Sequence, residues 1–195
     1  MSSRHLLFGI GALSLLQGCG SPRYAAPVVL QSDYVHLYSK GGWGLDSDIW
    51  IYPNDRFTVA HFATNTHRVD EQYSGSNPGL FRSIVRRVQQ RSAWGLSTAS
   101  LQKDLEVAQQ RSGAAHGVMD SSHYNLEIRY GAHRLQADCY APQAFSEIFP
   151  EVRSLRNFAQ LTKAVLTGTT KVEQGNRPGS ALEPTSSTGG SALSR

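Results

Sequence analysis

The stretch HYNLEIRYGAHRLQADCY, residues 123–140, decides the fold class of this chain. Apolar and polar residues alternate in both halves, and the apolar set is Tyr124, Leu126, Ile128, Tyr130, Leu135, Ala137 and Cys139. A period of two places each set on one face of an extended strand. The dipeptide Gly131-Ala132 between the halves is typical of a tight turn. The stretch therefore predicts an antiparallel hairpin with one buried face.

Segments on both sides of this hairpin predict the rest of the domain. Residues 33–39, 47–53 and 56–62 are rich in β-branched and aromatic side chains, which favour strands. Apolar residues recur at helical spacing over residues 78–91, 100–111 and 150–166. Strands, helices, a hairpin and a last helix in this order predict an α+β fold. We expect an antiparallel sheet of four to five strands with two to three helices on one face, because the hairpin alternates on one side only.

The helix predicted at residues 78–91 has a basic outer face. Asn77 precedes it as a candidate N-cap and Pro78 suits the first helical position. Its outer arginines are Arg82, Arg86, Arg87 and Arg91. Such a face can attract anionic lipid headgroups or an acidic partner. The alternative interpretation is the solvated back of a helix whose apolar side faces the core.

The amino terminus carries the signals of an exported protein. A single charged residue, Arg4, precedes an apolar run over residues 6–16, which is too short to span a hydrocarbon core of about 30 Å. It reads as the apolar region of a signal peptide. The following Leu16-Gln17-Gly18-Cys19 resembles the lipobox of bacterial lipoproteins.

That resemblance implies cleavage after Gly18, diacylglycerol on the Cys19 sulfur and an acyl group on the new amino terminus. Two or more acyl chains bind a bilayer firmly, whereas one chain binds reversibly. Gly20 follows the cysteine, which in lipoproteins of double-membraned bacteria implies sorting to the outer membrane. The alternative is an ordinary secretory peptide that leaves Cys19 as a free thiol.

The domain organisation follows from these signals. Residues 1–18 are predicted to be a signal peptide, 19–32 a lipidated tether, 33–168 one α+β domain and 169–195 a disordered Gly, Ser, Thr and Pro-rich tail. The formal net charge of +4 becomes +3 when residues 1–18 are removed with Arg4. Export to the envelope separates such a protein from cytoplasmic DNA, so no nucleic-acid partner is expected.

Residues that could perform catalysis are scattered. His116, Asp120 and His123 would align if their segment were helical, but Gly113, Gly117 and paired serines favour a loop, and no paired CxxC or HExxH spacing is present. We therefore predict no metal and no cofactor other than the lipid on Cys19.

Carboxylates and thiols give no firmer catalytic signal. Asp46 and Asp48 are interpreted as turn residues beside strands. Cys139 is interpreted as a buried apolar thiol, although a nearby histidine would make it a candidate nucleophile. A metal- or Cys-dependent hydrolase remains the least favoured hypothesis, and the sequence leaves enzymatic activity open.

Aromatic residues near the first predicted strands are the candidate surface for a protein partner. The set is Tyr34, Tyr38, Trp43, Trp50 and Tyr52, together with the neighbouring glycines Gly41, Gly42 and Gly44. Trp and Tyr are enriched at binding hot spots. The favoured hypothesis is therefore a lipid-anchored envelope protein with a small non-catalytic binding or structural domain.

A second resemblance covers residues 34–166. The segments in this range are LYSKGGWGLDSDIWIYPNDRF, a helix, HYNLEIRYGAHRLQADC and a closing helix. Their order resembles that of emfourin-type proteins, which are small inhibitors of thermolysin-like metallopeptidases. The resemblance implies that the loop of Gly41, Gly42, Trp43 and Gly44, with the neighbouring strand ends, contacts a peptidase without catalysing a reaction.

Overall fold

A computed structural model describes residues 24–27, 33–41, 45–113 and 117–170, and it shows an α+β domain. Six strands form one antiparallel sheet in the order β4-β3-β2-β1-β5-β6. The strands are β1 Tyr34–Lys40, β2 Leu45–Ile51, β3 Arg56–Ala63, β4 Val69–Ser76, β5 His123–Tyr130 and β6 His133–Tyr140. The helices are α1 Leu80–Gln90, α2 Thr98–Ser112, α3 Pro142–Ile148 and α4 Arg153–Gly168, with a short 3-10 turn at Ala93–Gly95.

The helices pack against one face of this sheet. Alternate residues of the strands, such as Leu37, Leu126 and Leu135, are fully buried and belong to a single core with the helices. From α1 and α4, Ile84 and Phe158 join the same core. Burial of these apolar side chains stabilises the fold by about 25 cal/mol per Å² removed from water. The predicted hairpin is confirmed, with β5 and β6 joined at Gly131. Tyr130, predicted on its buried face, is 40% exposed because it is the last residue of β5, beside the turn.

The strand count is one higher than the four to five expected from the sequence. The additional strand is β4, whose sequence VDEQYSGS offers Tyr73 as its one large apolar side chain. It pairs with β3 through the antiparallel register from Arg56↔Ser76 to Phe62↔Val69. β4 lies at the sheet edge, where a strand needs no second neighbour and tolerates polar residues on both faces. The amino-acid composition of β4 is therefore typical of a loop, and the sequence does not predict a strand there.

The helix count is also higher than the two to three expected. The additional helix, α3, has only seven residues, with buried Pro142 at its first turn and Phe145 on its inner side. So short a segment shows too few repeats for helical spacing to be recognised. α3 packs against α4, which begins at Arg153 rather than at residue 150.

The start of α1 differs from the prediction that Asn77 caps it. The Asp55 carboxylate accepts hydrogen bonds from the backbone N–H of Gly79 at 2.7 Å and of Phe81 at 3.1 Å. Asn77 instead donates its side-chain amide to the Gly168 carbonyl at 2.8 Å, which joins β4 to the end of α4. The cap thus comes from the β2–β3 turn, 24 residues away from Gly79 in sequence. None of the helices described has the length and apolar content needed to cross a membrane.

Candidate functional site: the open face of the sheet

The face of the sheet turned away from the helices is called the open face here. It comprises the alternate side chains Tyr34, His36, Tyr38, Asp46, Asp48, Trp50, Phe62 and Glu127, together with their register neighbours on the same side. Tyr34, Trp50 and Phe62 are buried but do not belong to the helix-side core. The domain therefore has a second packed cluster, which contains three carboxylates instead of only apolar groups.

Asp48 is at the centre of this cluster and is only 4% exposed. His36 Nε2 lies 2.5 Å from its Oδ1, Trp50 Nε1 donates to its Oδ2 at 3.0 Å, and the Tyr24 hydroxyl donates to the same Oδ2. Burial alone raises the pKa of a carboxyl group, but these hydrogen bonds and the His36 ring outweigh it and hold the pKa of Asp48 below its ordinary value. The group is therefore an anion whose acceptor positions are occupied.

Asp46, two residues earlier on β2, is 1% exposed. It accepts the Tyr38 hydroxyl at 2.6 Å, the Thr64 hydroxyl at 3.0 Å and the Gly41 backbone N–H at 3.3 Å. Burial and the bond to Asp46 raise the pKa of Tyr38 to about 12, so the phenol is protonated at neutral pH. Asp46 thus joins β1, the turn after it and the end of β3.

Glu127 on β5 forms the third carboxylate centre. The Tyr34 hydroxyl donates to it at 3.0 Å, Arg129 Nε lies at 3.0 Å and Arg134 Nη2 at 3.1 Å. Partial burial works against ionisation of Glu127, but these partners hold its pKa below the ordinary value. The Arg129 guanidinium also lies 5.3 Å from the centre of the Tyr34 ring, a cation–π distance.

Aromatic stacking completes the open face. The His36 ring stacks on Trp50 with 3.9 Å between ring centres and an interplanar angle of 12°. Tyr34 approaches the same indole at 5.3 Å. Because the polar atoms of these rings are engaged with carboxylates, the side chains are held in fixed positions. A surface fixed in this way loses little side-chain entropy on binding.

Tyr24 adds a contact from the segment predicted to be a tether. Its ring stacks on Phe62 with 4.6 Å between ring centres and an interplanar angle of 6°, and its backbone N–H donates to the His67 carbonyl at 2.8 Å. Together with the bond to Asp48, these contacts place residue 24 against the open face.

The predicted contact residues divide between different places. Tyr38 and Trp50 lie on the open face, and Tyr52 is half-buried directly after β2. Gly41 has a structural reason for its identity, because an added Cβ would lie 2.3 Å from the Leu45 carbonyl oxygen. Gly42, Trp43 and Gly44 lie outside the described residues, and so does Cys19. The inhibitor loop and the lipidation site therefore stay predictions.

The predicted basic surface lies on α1. Arg82, Arg86 and Arg87 are exposed on the side of the helix away from its buried apolar residues. Arg91 is half-buried and donates to Asn157 Oδ1 on α4 at 3.2 Å. Three of the four arginines are thus available at the surface, and the fourth holds two helices together.

The candidate metal and catalytic residues do not converge. His123 Nε2 lies 2.9 Å from Asp138, Asp120 is exposed in a separate loop, and His116 is not among the described residues. Within the described part of the chain, no group of three His, Cys, Asp or Glu side chains is arranged to hold a metal ion. Ser47 and His61 form one cross-strand hydrogen bond of 2.8 Å on the helix side of β2 and β3.

Cys139 is buried, as the alternation predicted. It lines a cavity of about 340 Å³ between α2, β6 and α3, and no histidine is among the residues described around that cavity. Burial, with a smaller contribution from Asp138, raises the pKa of the Cys139 thiol to about 11. A neutral thiol without an adjacent base is a poor nucleophile.

Sequence reasoning does not reveal the importance of Asp46 and Asp48, because aspartates beside strands are typical of turns. Both lie within β2 and are buried. The available signal was the spacing Asp46-x-Asp48-x-Trp50, which places both carboxylates on the same side as a tryptophan. The partners on β1 depend on register, which the local sequence does not show. No known family model matches this sequence, and no curated protein was found to be significantly similar to it.

Proposed function

We propose that this is a lipid-anchored protein of the bacterial cell envelope whose α+β domain binds a protein partner through the open face. The anchor is the diacylglycerol and N-acyl lipid on Cys19, and the expected location is the outer membrane. The lipobox resemblance supports this anchor, and the open face supports the binding role.

The observation that carries the binding role is the second packed cluster on the open face. A sheet side without function needs only solvated polar residues, whereas this one buries Asp46 and Asp48 among aromatic rings. Burying a carboxylate costs several kcal/mol unless it is paired and hydrogen-bonded. The network therefore fixes Tyr38, His36 and the arginines beside Glu127 in a rigid arrangement suited to recognition.

Saturated hydrogen bonding favours binding over catalysis. A general base needs an acceptor free for the substrate proton, and a nucleophile needs an activated lone pair. Asp48 accepts from His36, Trp50 and Tyr24, and the raised pKa of Tyr38 keeps its proton in place. Fixed aromatic and charged side chains at the edge of such a network suit a protein contact.

Site-specific photocrosslinking in intact cells tests this proposal. A photoreactive side chain replaces Gln72 or Gln136, which are exposed on the open face, or Gln89 or Gln160, which are exposed on α1 and α4. Because the same residue type is replaced at all four positions, the open-face and helix positions can be compared directly. We expect a discrete protein adduct from the open-face positions at several times the yield of the helix positions. Equal yields, or a higher yield from the helices, would contradict a partner surface on the open face.

A further inference from the structure

Tyr24 occupies a defined slot on the open face, formed by Asp48, Phe62 and His67. The phenol hydroxyl donates to Asp48, the ring stacks on Phe62, and the backbone N–H donates to His67. Phe62 in turn stacks near the His67 ring with 5.8 Å between ring centres. Three contacts of different kinds therefore fix the direction, the depth and the orientation of one side chain.

The slot has features of a site built for a phenol. Its floor is Phe62, which is only 2% exposed, and its polar end is the buried Asp48 carboxylate, whose Oδ2 accepts from both Tyr24 and Trp50. His67 adopts φ of 52°, a left-handed conformation that a non-glycine residue rarely takes. Residue 67 closes the turn before β4 and directs its carbonyl to Tyr24.

We infer that this slot is a docking site for the chain's own Tyr24, which fastens the tether to the domain and holds the open face close to the bilayer. The inference rests on the proposed lipidation of Cys19. It adds that docking limits how far the domain extends from Cys19 and which side of the domain faces the bilayer. The ligand is a phenol supplied by the same chain.

The consequence for reach follows from chain geometry. Fourteen residue steps separate Cys19 from Asp33, but only five separate Cys19 from Tyr24. At about 3.5 Å for each extended residue, the free tether spans at most about 49 Å, whereas the docked tether spans at most about 17 Å. Docking therefore shortens the reach of the domain roughly threefold.

Trypsin provides a direct readout of docking, because Arg23 is the only Lys or Arg between Cys19 and Asp33. A protease must bind an extended segment around the cleaved bond, and docked Tyr24 withholds that segment until it opens. The experiment follows the initial rate at which the full-chain protein, purified in detergent, yields a product beginning at residue 24. Mass spectrometry identifies the product. Peptides of residues 20–33, with and without Tyr24→Ala, correct for the intrinsic preference of trypsin.

We expect Tyr24→Ala to raise the corrected cleavage rate by about tenfold or more, the factor that corresponds to losing one charge-assisted hydrogen bond. Tyr24→Phe keeps the stacking on Phe62 but loses the hydroxyl, so its rate should be intermediate. Tyr130→Ala removes an exposed tyrosine outside the slot and should leave the rate unchanged. Equal corrected rates for wild type and Tyr24→Ala would overturn the docking site.

Intact mass of the same samples separates this inference from the proposal beneath it. Acyl mass on Cys19 together with protection of the Arg23–Tyr24 bond supports both. Acyl mass with no protection overturns the docking site and leaves the anchor. Protection of the Arg23–Tyr24 bond without acyl mass on Cys19 overturns the proposed lipid anchor. It also overturns the inference that docking holds the domain near the bilayer.

Discussion

Asp48 shows how a single residue organises the open face. Its carboxylate accepts from His36 on β1, Trp50 on β2 and Tyr24 in the preceding segment, so one buried anion joins three parts of the chain. A buried carboxylate is tolerated only when such donors replace the water that it loses. The stability of this side of the domain should therefore depend on the ionisation of Asp48.

Asp48→Asn should lower the free energy of unfolding by about 2 kcal/mol near neutral pH, because an amide replaces an anion that accepts charge-assisted hydrogen bonds. The pKa of Asp48 is lower in the folded protein than its unfolded value of about 3.9. The stabilisation is thus present above about pH 4 and is lost as the pH falls through the folded pKa. The difference in free energy of unfolding between wild type and Asp48→Asn should therefore become smaller as the pH falls below about 4. Urea unfolding of both proteins from about pH 7 to about pH 3 measures it.

Exposed Asp70 on β4 offers the matched control for this measurement. Asp70→Asn should change the free energy of unfolding by less than about 0.5 kcal/mol near neutral pH. A deficit of Asp48→Asn that stays constant down to acidic pH would show that the ionised carboxylate is not the source of the stabilisation.

At the scale of elements, the turn between β2 and β3 caps helix α1, which begins two strands later in the chain. Asp55 adopts φ of 62°, and its carboxylate accepts hydrogen bonds from the backbone N–H groups of Gly79 and Phe81. The first N–H groups of a helix have no partner within it, so an acceptor from elsewhere stabilises the start of α1. Asp55 therefore joins the β2–β3 turn to the start of α1 in the helix layer.

Asp55→Ala should destabilise the domain by about 2 kcal/mol, because it removes the cap and places alanine in a left-handed conformation. Asp55→Asn should recover at least half of this loss, since asparagine tolerates positive φ and keeps an acceptor oxygen. Thermal unfolding of the two variants and of Asn54→Ala, a neighbouring exposed position, measures the effect. Equal midpoints for Asp55→Ala and Asn54→Ala would contradict the role of Asp55.

The elements also show what the sequence could and could not predict. β5 and β6 were predictable, because Leu126, Ile128 and Leu135 alternate with polar residues on a half-buried hairpin. β4 was not predictable, because an edge strand without an apolar face is stabilised by backbone pairing to β3 rather than by its own side chains. The short α3 lacked the repeats that reveal a helix.

The candidate site was harder to predict than the fold. Tyr38 and Trp50 were recognised as contact candidates from their chemistry, but Asp46 and Asp48 looked like turn residues. Their role depends on register, which brings His36 opposite Trp50 and Tyr38 opposite Asp48. The docking of Tyr24 depends on a contact across 24 positions of sequence. Neither relation leaves a periodic pattern in the chain.

At the scale of the whole molecule, the described domain has two packed sides with different chemistry. The helix side is apolar and holds the hydrophobic core, which includes Leu37, Leu126 and Phe158. The open face buries carboxylates and aromatic rings and also holds the first described residue, Tyr24. On the account proposed above, the amino-terminal lipid and the partner surface lie on the same side of the domain, so a partner would meet the open face near the membrane.

Lipidation of Cys19 is decided by the intact mass and detergent-phase partitioning of full-length protein expressed in a double-membraned bacterium. Wild type is compared with Cys19→Ser, which replaces only the Cys19 sulfur by oxygen. The account predicts that wild type loses residues 1–18, gains diacylglycerol and N-acyl mass and enters the detergent phase, whereas Cys19→Ser does none of these. If both proteins lack acyl mass and stay in the aqueous phase, the chain is not a lipoprotein and the central claim is wrong.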